Sequence, residues 1–267
     1  MNRLLLFVVV ASCLVWAGPT AYAQGGSPRK PPAKAKPCRS TIKAIAQCPD
    51  EGCGAGVDAN LNRQKNIHPN AQEPVLRSIA WMKDLEEPRS FTPKNLKRDV
   101  LRQIGEGQQI TVVAWALAAR KGGQESCNCK LKAKADTDNH IVLVDPALKN
   151  PTLVENEKHD SETAEFTPRV RADQHPDFTQ ENLESQIDPD WSPGDTPTKG
   201  KLLVRVTGVL MFDSEHFLRN HLKRHNNWEI HPVLKVQYCP EGETCEPDSD
   251  DNWVDLESEP PEEGVPR

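Results

Sequence analysis

Aromatic residues are scarce in this chain, 5% of 267 residues, with only 2 Tyr, 6 Phe and 6 Trp. A groove that grips ligands by ring stacking would have little to draw on. After the first two dozen residues no segment reaches the roughly 18 apolar residues needed to cross a membrane as a helix. Familiar catalytic patterns are also missing. There is no Gly-x-Ser-x-Gly elbow, no His-Glu-x-x-His helix, no phosphate-binding P-loop and no Cys-x-x-Cys pair. These absences remove the usual serine-hydrolase, zinc-protease, nucleotide-binding and thiol-redox readings. Gly52-Cys53-Gly54-Ala55-Gly56 is glycine-rich but lacks the strand and helix that frame a nucleotide fingerprint.

What is present begins with an export signal. Arg3 precedes an apolar run over residues 4–10 and beyond, and Ala21-Tyr22-Ala23 offers small side chains for cleavage after Ala23. The run is too short, and too broken by Gly18-Pro19, to remain in a bilayer. The expected location is the periplasm or outside the cell. Val10-Ala11-Ser12-Cys13 is a lesser alternative, a lipoprotein signal, but an apolar rather than polar stretch follows Cys13.

Seven cysteines follow the leader: Cys38, Cys48, Cys53, Cys127, Cys129, Cys239 and Cys245. In an oxidising compartment they are expected in disulfides, and the odd count leaves one thiol unpaired. Cys48–Cys53 and Cys239–Cys245 are short-loop candidates. Cys127 and Cys129 would point to opposite faces of an extended chain, so separate partners are expected for them.

The net charge of -6 hides blocks of opposite sign. Residues 24–37 form a basic, proline-rich linker, and residues 38–104 a cysteine-bearing region with a helix near residues 71–84. Residues 105–240 hold the main domain. From Glu241 the tail carries eleven acidic residues against Arg267 alone, and disorder is expected there. Within the main domain, residues 110–118 and 140–145 read as buried strands. Residues 202–213 alternate cleanly, with Val204, Val206, Leu210 and Phe212 on one face, and Gly208 on that face marks a bend or bulge. Residues 228–238 alternate likewise, Trp228, Ile230, Leu234 and Val236 opposing Glu229 and His231, with Pro232 demanding an edge or a bulge. Short helices are expected over residues 179–186, within an acidic insert at residues 155–195, and over residues 215–224.

This order is mainly β with short helices. It resembles an OB-fold, a small Greek-key barrel with a helix between its third and fourth strands. The segments that carry the resemblance are residues 109–118, 140–145, 204–213 with Gly208, and 228–236. The resemblance is one of topology; no motif of a particular OB family is matched, and no site residues follow from it.

Two groups of side chains are candidates for chemistry. His216, His221, His225 and His231 crowd into a short stretch, and His221 and His225 lie one helical turn apart, a spacing that suits Zn²⁺ or Cu²⁺. Arg219, Lys223 and Arg224 beside them favour instead an ordinary solvated basic helix. The second group is His140, Glu229 and His231, with Asp145 or Glu165 as added carboxylates. Pairing of Glu229 and His231 with Arg205 across a strand ladder is the structural alternative. For binding, Lys130, Lys132 and Arg205, together with Lys134, Lys201 and Lys235, would form a positive face for an oligomeric polyanion or a protein, unless the acidic segments neutralise it. The leading expectation is an exported, non-catalytic binding or structural domain without a cofactor. A metal-assisted hydrolase using Zn or Cu is the alternative, and convergence of the histidines and carboxylates distinguishes the two.

Overall fold

A computed structural model describes residues 37–39, 41–54, 57–70, 72–88, 98–156, 159–173, 175–195, 200–216 and 223–257. The leader, Cys13, nearly all of the basic linker, His221 and most of the helix expected over residues 215–224 lie outside the described residues.

Among the described residues seven strands are interspersed with short helices. In chain order these are α1 (Ala59–Lys65), β1 (Val75–Arg77), α2 (Ile79–Lys83), α3 (Asp99–Ile104), β2 (Gln109–Lys121), β3 (Asn139–Val144), α4 (Leu153–Asn156), β4 (Glu162–Phe166), α5 (Pro168–Asp173), α6 (Gln180–Ile187), β5 (Leu202–Phe212), β6 (Trp228–Tyr238) and β7 (Val254–Asp255). Five strands close a barrel in the order β2-β3-β4-β6-β5, with β5 returning to β2. Every seam is antiparallel except the parallel β4–β6 pair. β1 pairs with β2 and β7 with β6 outside this ring. The helices α5 and α6 fall between the third and fourth barrel strands, as the Greek-key expectation requires.

The helices start where side chains satisfy free backbone N–H groups. Asp58 accepts from the amides of Asn60 and Leu61, Ser78 from Trp81 and Thr179 from Asn182. Leu183 and Ile187 of α6 join a core made of Ile110, Val112, Ile141, Leu143, Ala164, Phe166, Val204, Val206, Phe212, Trp228 and Ile230. The expected helix over residues 71–84 is shorter than its pattern implied: Leu76 is drawn into β1, and only Ile79–Lys83 is helical.

Gly208 sits at the expected irregularity. The β5–β6 register slips on both sides of it, and an added Cβ would stand 2.5 Å from the Ile230 side chain and 2.5 Å from the Pro232 carbonyl. The slip absorbs Pro232 and replaces Leu234 in the core with Val233. The alternation expected for residues 228–238 therefore holds through His231 and breaks after it.

Among the described residues three disulfides form: Cys38–Cys53, Cys48–Cys129 and Cys239–Cys245. The Cys48–Cys53 closure is overturned, because Cys48 reaches across 81 residues to the loop between β2 and β3. Cys127 is the unpaired thiol among the described residues. The bridges fit an oxidising compartment, and among the described residues no helix is long and apolar enough to cross a membrane.

The acidic tail also differs from expectation over its first part. Irregular chain from Glu241 to Glu257 is held by the Cys239–Cys245 bridge, by buried Trp253 and Leu256 and by β7. Asp250 binds Arg205, and Asp255 lies 3.4 Å from Lys235. Neutralisation by the chain's own basic strands lets this acidic segment pack.

Candidate functional site

Strand parity separates the barrel wall into two chemistries. On β3, β4 and β6 the inward residues are Ile141, Leu143, Ala164, Phe166, Trp228 and Ile230. The outward residues of the same strands include His140, Glu165, Glu229 and His231. Such a polar face would ordinarily be wet. Here it is roofed by α1 and by the β2–β3 loop that carries Glu125, Cys127 and Asp138, and the Cys48–Cys129 bridge fastens this loop to the N-terminal region.

Glu165 is central. It is the register partner of His140 across β3 and β4, with Oε1 3.4 Å from His140 Nε2, and its Oε2 stands 3.0 Å from His231 Nδ1. Glu229 Oε1 is 3.4 Å from the same His231 nitrogen. None of these three contacts has hydrogen-bond geometry: among the described residues, both nitrogens of His231, Nε2 of His140, Oε2 of Glu165, Oε1 of Glu229 and Oδ1 of Asp138 are buried without a hydrogen-bond partner. Ligand atoms of Glu125, His140 and Glu165 lie within 4.8 Å of one another, as do those of Asp138, Glu165 and His231, and those of Glu125, Cys127 and Asp138.

Fixed charges surround these groups. Lys65, the last residue of α1, donates to Glu125 Oε2 at 2.7 Å. Asn128 donates to Asp138 Oδ2 at 2.8 Å, and the Cys127 thiol lies 3.3 Å from Glu125 Oε2. The Glu165 carboxylate facing His140 pushes that imidazole up to about 9. Burial opposes the charged form of His231, yet Glu165 and Glu229 outweigh it and push the group up to about 10. Burial also opposes ionisation of Glu165, and the two imidazoles overcome it, bringing the carboxyl to about 2. Asp138 rises to about 7 through burial and the nearby Glu125. Burial and the same carboxylates keep Cys127 a neutral thiol.

A cavity of about 200 Å³ opens onto this wall. Glu125, His140 and Glu165 line it on one side, and Asp213, His216 and Arg224 contribute to its lining as well. His216 bonds the buried carboxylate of Asp213, which also accepts from Arg224 at 2.8 Å; Arg224 in turn binds Glu229. This holds Asp213 well below the usual carboxylate range: Lys65, the His216 hydrogen bond and Arg224 together overcome its burial.

The second candidate group therefore converges, with Glu165 rather than Asp145 as its carboxylate; Asp145 instead accepts from the Ala147 amide. Of the histidine quartet, His221 lies outside the described residues. His216 is tied to Asp213, while His225 faces the His159 carbonyl at 3.0 Å. Arg205 pairs with neither Glu229 nor His231: its register partner is Gln237, and it bonds Gln237, Ser249 and Asp250. With Arg205 engaged, Lys130 and Lys132 are left on the exposed surface of the cysteine loop, Lys130 bonded to the Gln124 carbonyl.

Asp138, Glu125 and Lys65 were not foreseen. Asp138 carried a usable signal, because Asp138 and His140 are two residues apart at a strand start and so share a face. Comparison of the chain with family models, with curated proteins and with solved structures gives no match.

Proposed function

We propose that this chain is an exported, metal-assisted hydrolase on an OB-like barrel, with the leader cleaved after Ala23, and that a divalent transition-metal ion is held by Glu125, His140 and Glu165. One observation carries the reading. Three ligand atoms of suitable type lie within 4.8 Å at a cavity wall, and the imidazole nitrogen among them is buried without a hydrogen-bond partner. Histidine nitrogen with carboxylate oxygen suits Zn²⁺ and its neighbours. Three protein ligands beside a cavity also leave a coordination position for water or substrate, the arrangement expected of a catalytic rather than a structural site.

An ion held by Glu125, His140 and Glu165 would supply a Lewis acid for an ester oxygen. The chain's own groups account for the rest. Asp213 orients the His216 imidazole at the cavity, which places a proton acceptor beside it. Hydrolysis of an ester would join the oxygen of water to the acyl or phosphoryl centre and break the ester bond. His216 would take the proton from water and return it to the departing alkoxide. A second reading, a polyanion-binding barrel using Lys130, Lys132 and Arg205, is disfavoured by the commitment of Arg205 to Asp250.

The test is elemental analysis of protein purified without a histidine tag, followed by zinc titration of chelator-treated protein and assay against aryl phosphate and aryl acetate esters. Bound metal that His140→Ala releases, with metal-dependent turnover of one ester class, supports the reading. Absence of zinc binding overturns it. Binding without turnover would leave a metal-binding protein and remove the hydrolase.

A further inference from the structure

The cavity-facing triad leaves the deeper half of the cluster without a role. His231 has a side chain that is 1% exposed, and neither of its ring nitrogens has a hydrogen-bond partner. Asp138 and Glu165 bring ligand atoms within 4.8 Å of it. Oδ1 of Asp138 and Oε2 of Glu165 are likewise buried without a hydrogen-bond partner, Oε2 standing 3.0 Å from His231 Nδ1. Unpaired polar atoms are rarely left in a protein interior, because each has given up its hydrogen bonds to water. An imidazole and two carboxylates that bring atoms without hydrogen bonds within reach of one another form a donor set for a cation.

We infer that the protein holds a second divalent transition-metal ion, enclosed between Asp138, Glu165 and His231, and that Glu165 bridges it to the ion facing the cavity. The two oxygens of Glu165 already divide in this way, Oε1 toward His140 and Oε2 toward His231. Because β4 lies between β3 and β6, one outward carboxylate on it serves both neighbours. Asp138 and His231 are absent from the cavity lining, whereas Glu125, His140 and Glu165 belong to it. The enclosed ion therefore has the closed surroundings of a structural or supporting metal, and the other the open face of a reactive one. Glu125, Asp138, Glu165 and Glu229 place four carboxyl groups around the cluster, with Lys65 bonded to Glu125 and Arg224 to Glu229. Ions sharing a bridging carboxylate at roughly 3.5–4 Å are the arrangement that clamps both the attacking and the leaving oxygen in phosphoryl-ester cleavage, the substrate class this geometry selects.

This inference rests on the proposed cavity-facing metal, and stoichiometry separates the two. Chelator-treated full-length mature chain is titrated calorimetrically with Zn²⁺, and the same chain loaded with Mn²⁺ is examined by electron paramagnetic resonance. The expected result is two ions per chain and an exchange-coupled manganese signal. His231→Gln should retain one ion, His140→Ala should retain one, and the double variant none. Asp138→Asn serves in place of His231→Gln if that chain fails to fold. One ion per wild-type chain overturns the second site and leaves the first standing; zero ions overturns both. Two ions without magnetic coupling overturns the Glu165 bridge.

Discussion

His140 and Glu165 are register partners on adjacent antiparallel strands, their side chains meeting on the outer face of the barrel at 3.4 Å. Outer-face polar residues of a small barrel normally meet water, and here a disulfide-fastened loop covers them instead. Glu165→Gln should therefore damage the site more than loss of either histidine. It keeps size and removes the charge that both imidazoles share. Zinc affinity is expected to fall by more than about 100-fold, since loss of even an outer partner of a metal ligand typically costs about 10–100-fold. Competition with a chromophoric chelator measures it.

The Cys48–Cys129 bridge ties the N-terminal region to the loop bearing Glu125 and Cys127. Replacing both cysteines by serine should cost about 2–5 kcal/mol of stability. Zinc affinity should also drop, because the loop that places Glu125 is freed. Denaturant unfolding and zinc titration of the variant read the two effects. Unchanged affinity would show that the loop holds its place without the bridge.

Gly208 gives a link between barrel closure and the site. Gly208→Ala drives a methyl group against Ile230 and the Pro232 carbonyl, next to His231. The expected destabilisation is about 1–3 kcal/mol, as for other overpacked positions. Zinc affinity should weaken as the backbone carrying His231 shifts. Thermal melts with and without zinc check both.

Arg98 and Glu106 form a buried ion pair at the end of the barrel. Arg98 Nε donates to Glu106 Oε2 at 2.7 Å, and the guanidinium also bonds Ser214 and the Phe212 carbonyl. Arg98→Met strands the Glu106 carboxylate and should cost about 3–5 kcal/mol, whereas Arg98→Met with Glu106→Leu should cost less than the sum of the singles. A double-mutant cycle in urea decides it.

Asp213 and His216 predict a pH window. The folded carboxyl of Asp213 lies below its ordinary 3.8, so its contribution is present above about pH 4 and is lost as pH falls through the folded value. His216 lies above its ordinary 6.5, chiefly through its bond to Asp213, so its contribution is complete below about pH 6.5 and is lost as pH rises through the folded value. The stability difference between wild type and His216→Ala should therefore be largest between about pH 4 and 6.5 and shrink on both sides. Melting temperatures across pH 3–9 test it; a difference independent of pH would contradict the pairing.

Local pattern was enough to read β2, β3, β5 and β6, because their alternation or β-branched runs are set by which face meets the core. It also placed His140, Glu229 and His231 together and marked Gly208 as irregular. β4 was hidden: Glu162-Thr163-Ala164-Glu165-Phe166 is short and sits among acidic residues, so its charge masked two core positions, Ala164 and Phe166. Glu125 and Lys65 were beyond reach for another reason. Their contact spans 60 residues and depends on the path of the covering loop, which no periodicity records. The acidic tail misled because its partners, Arg205 and Lys235, lie on strands far from it in sequence.

Anomalous diffraction at the zinc edge, from crystals of chelator-treated protein reloaded with stoichiometric zinc, tests the central claim most directly. The account predicts density within about 2.0–2.2 Å of His140 nitrogen and of carboxylate oxygens from Glu165 and Glu125. Zinc found only on surface side chains such as His225, with no peak between His140 and Glu165, would contradict it.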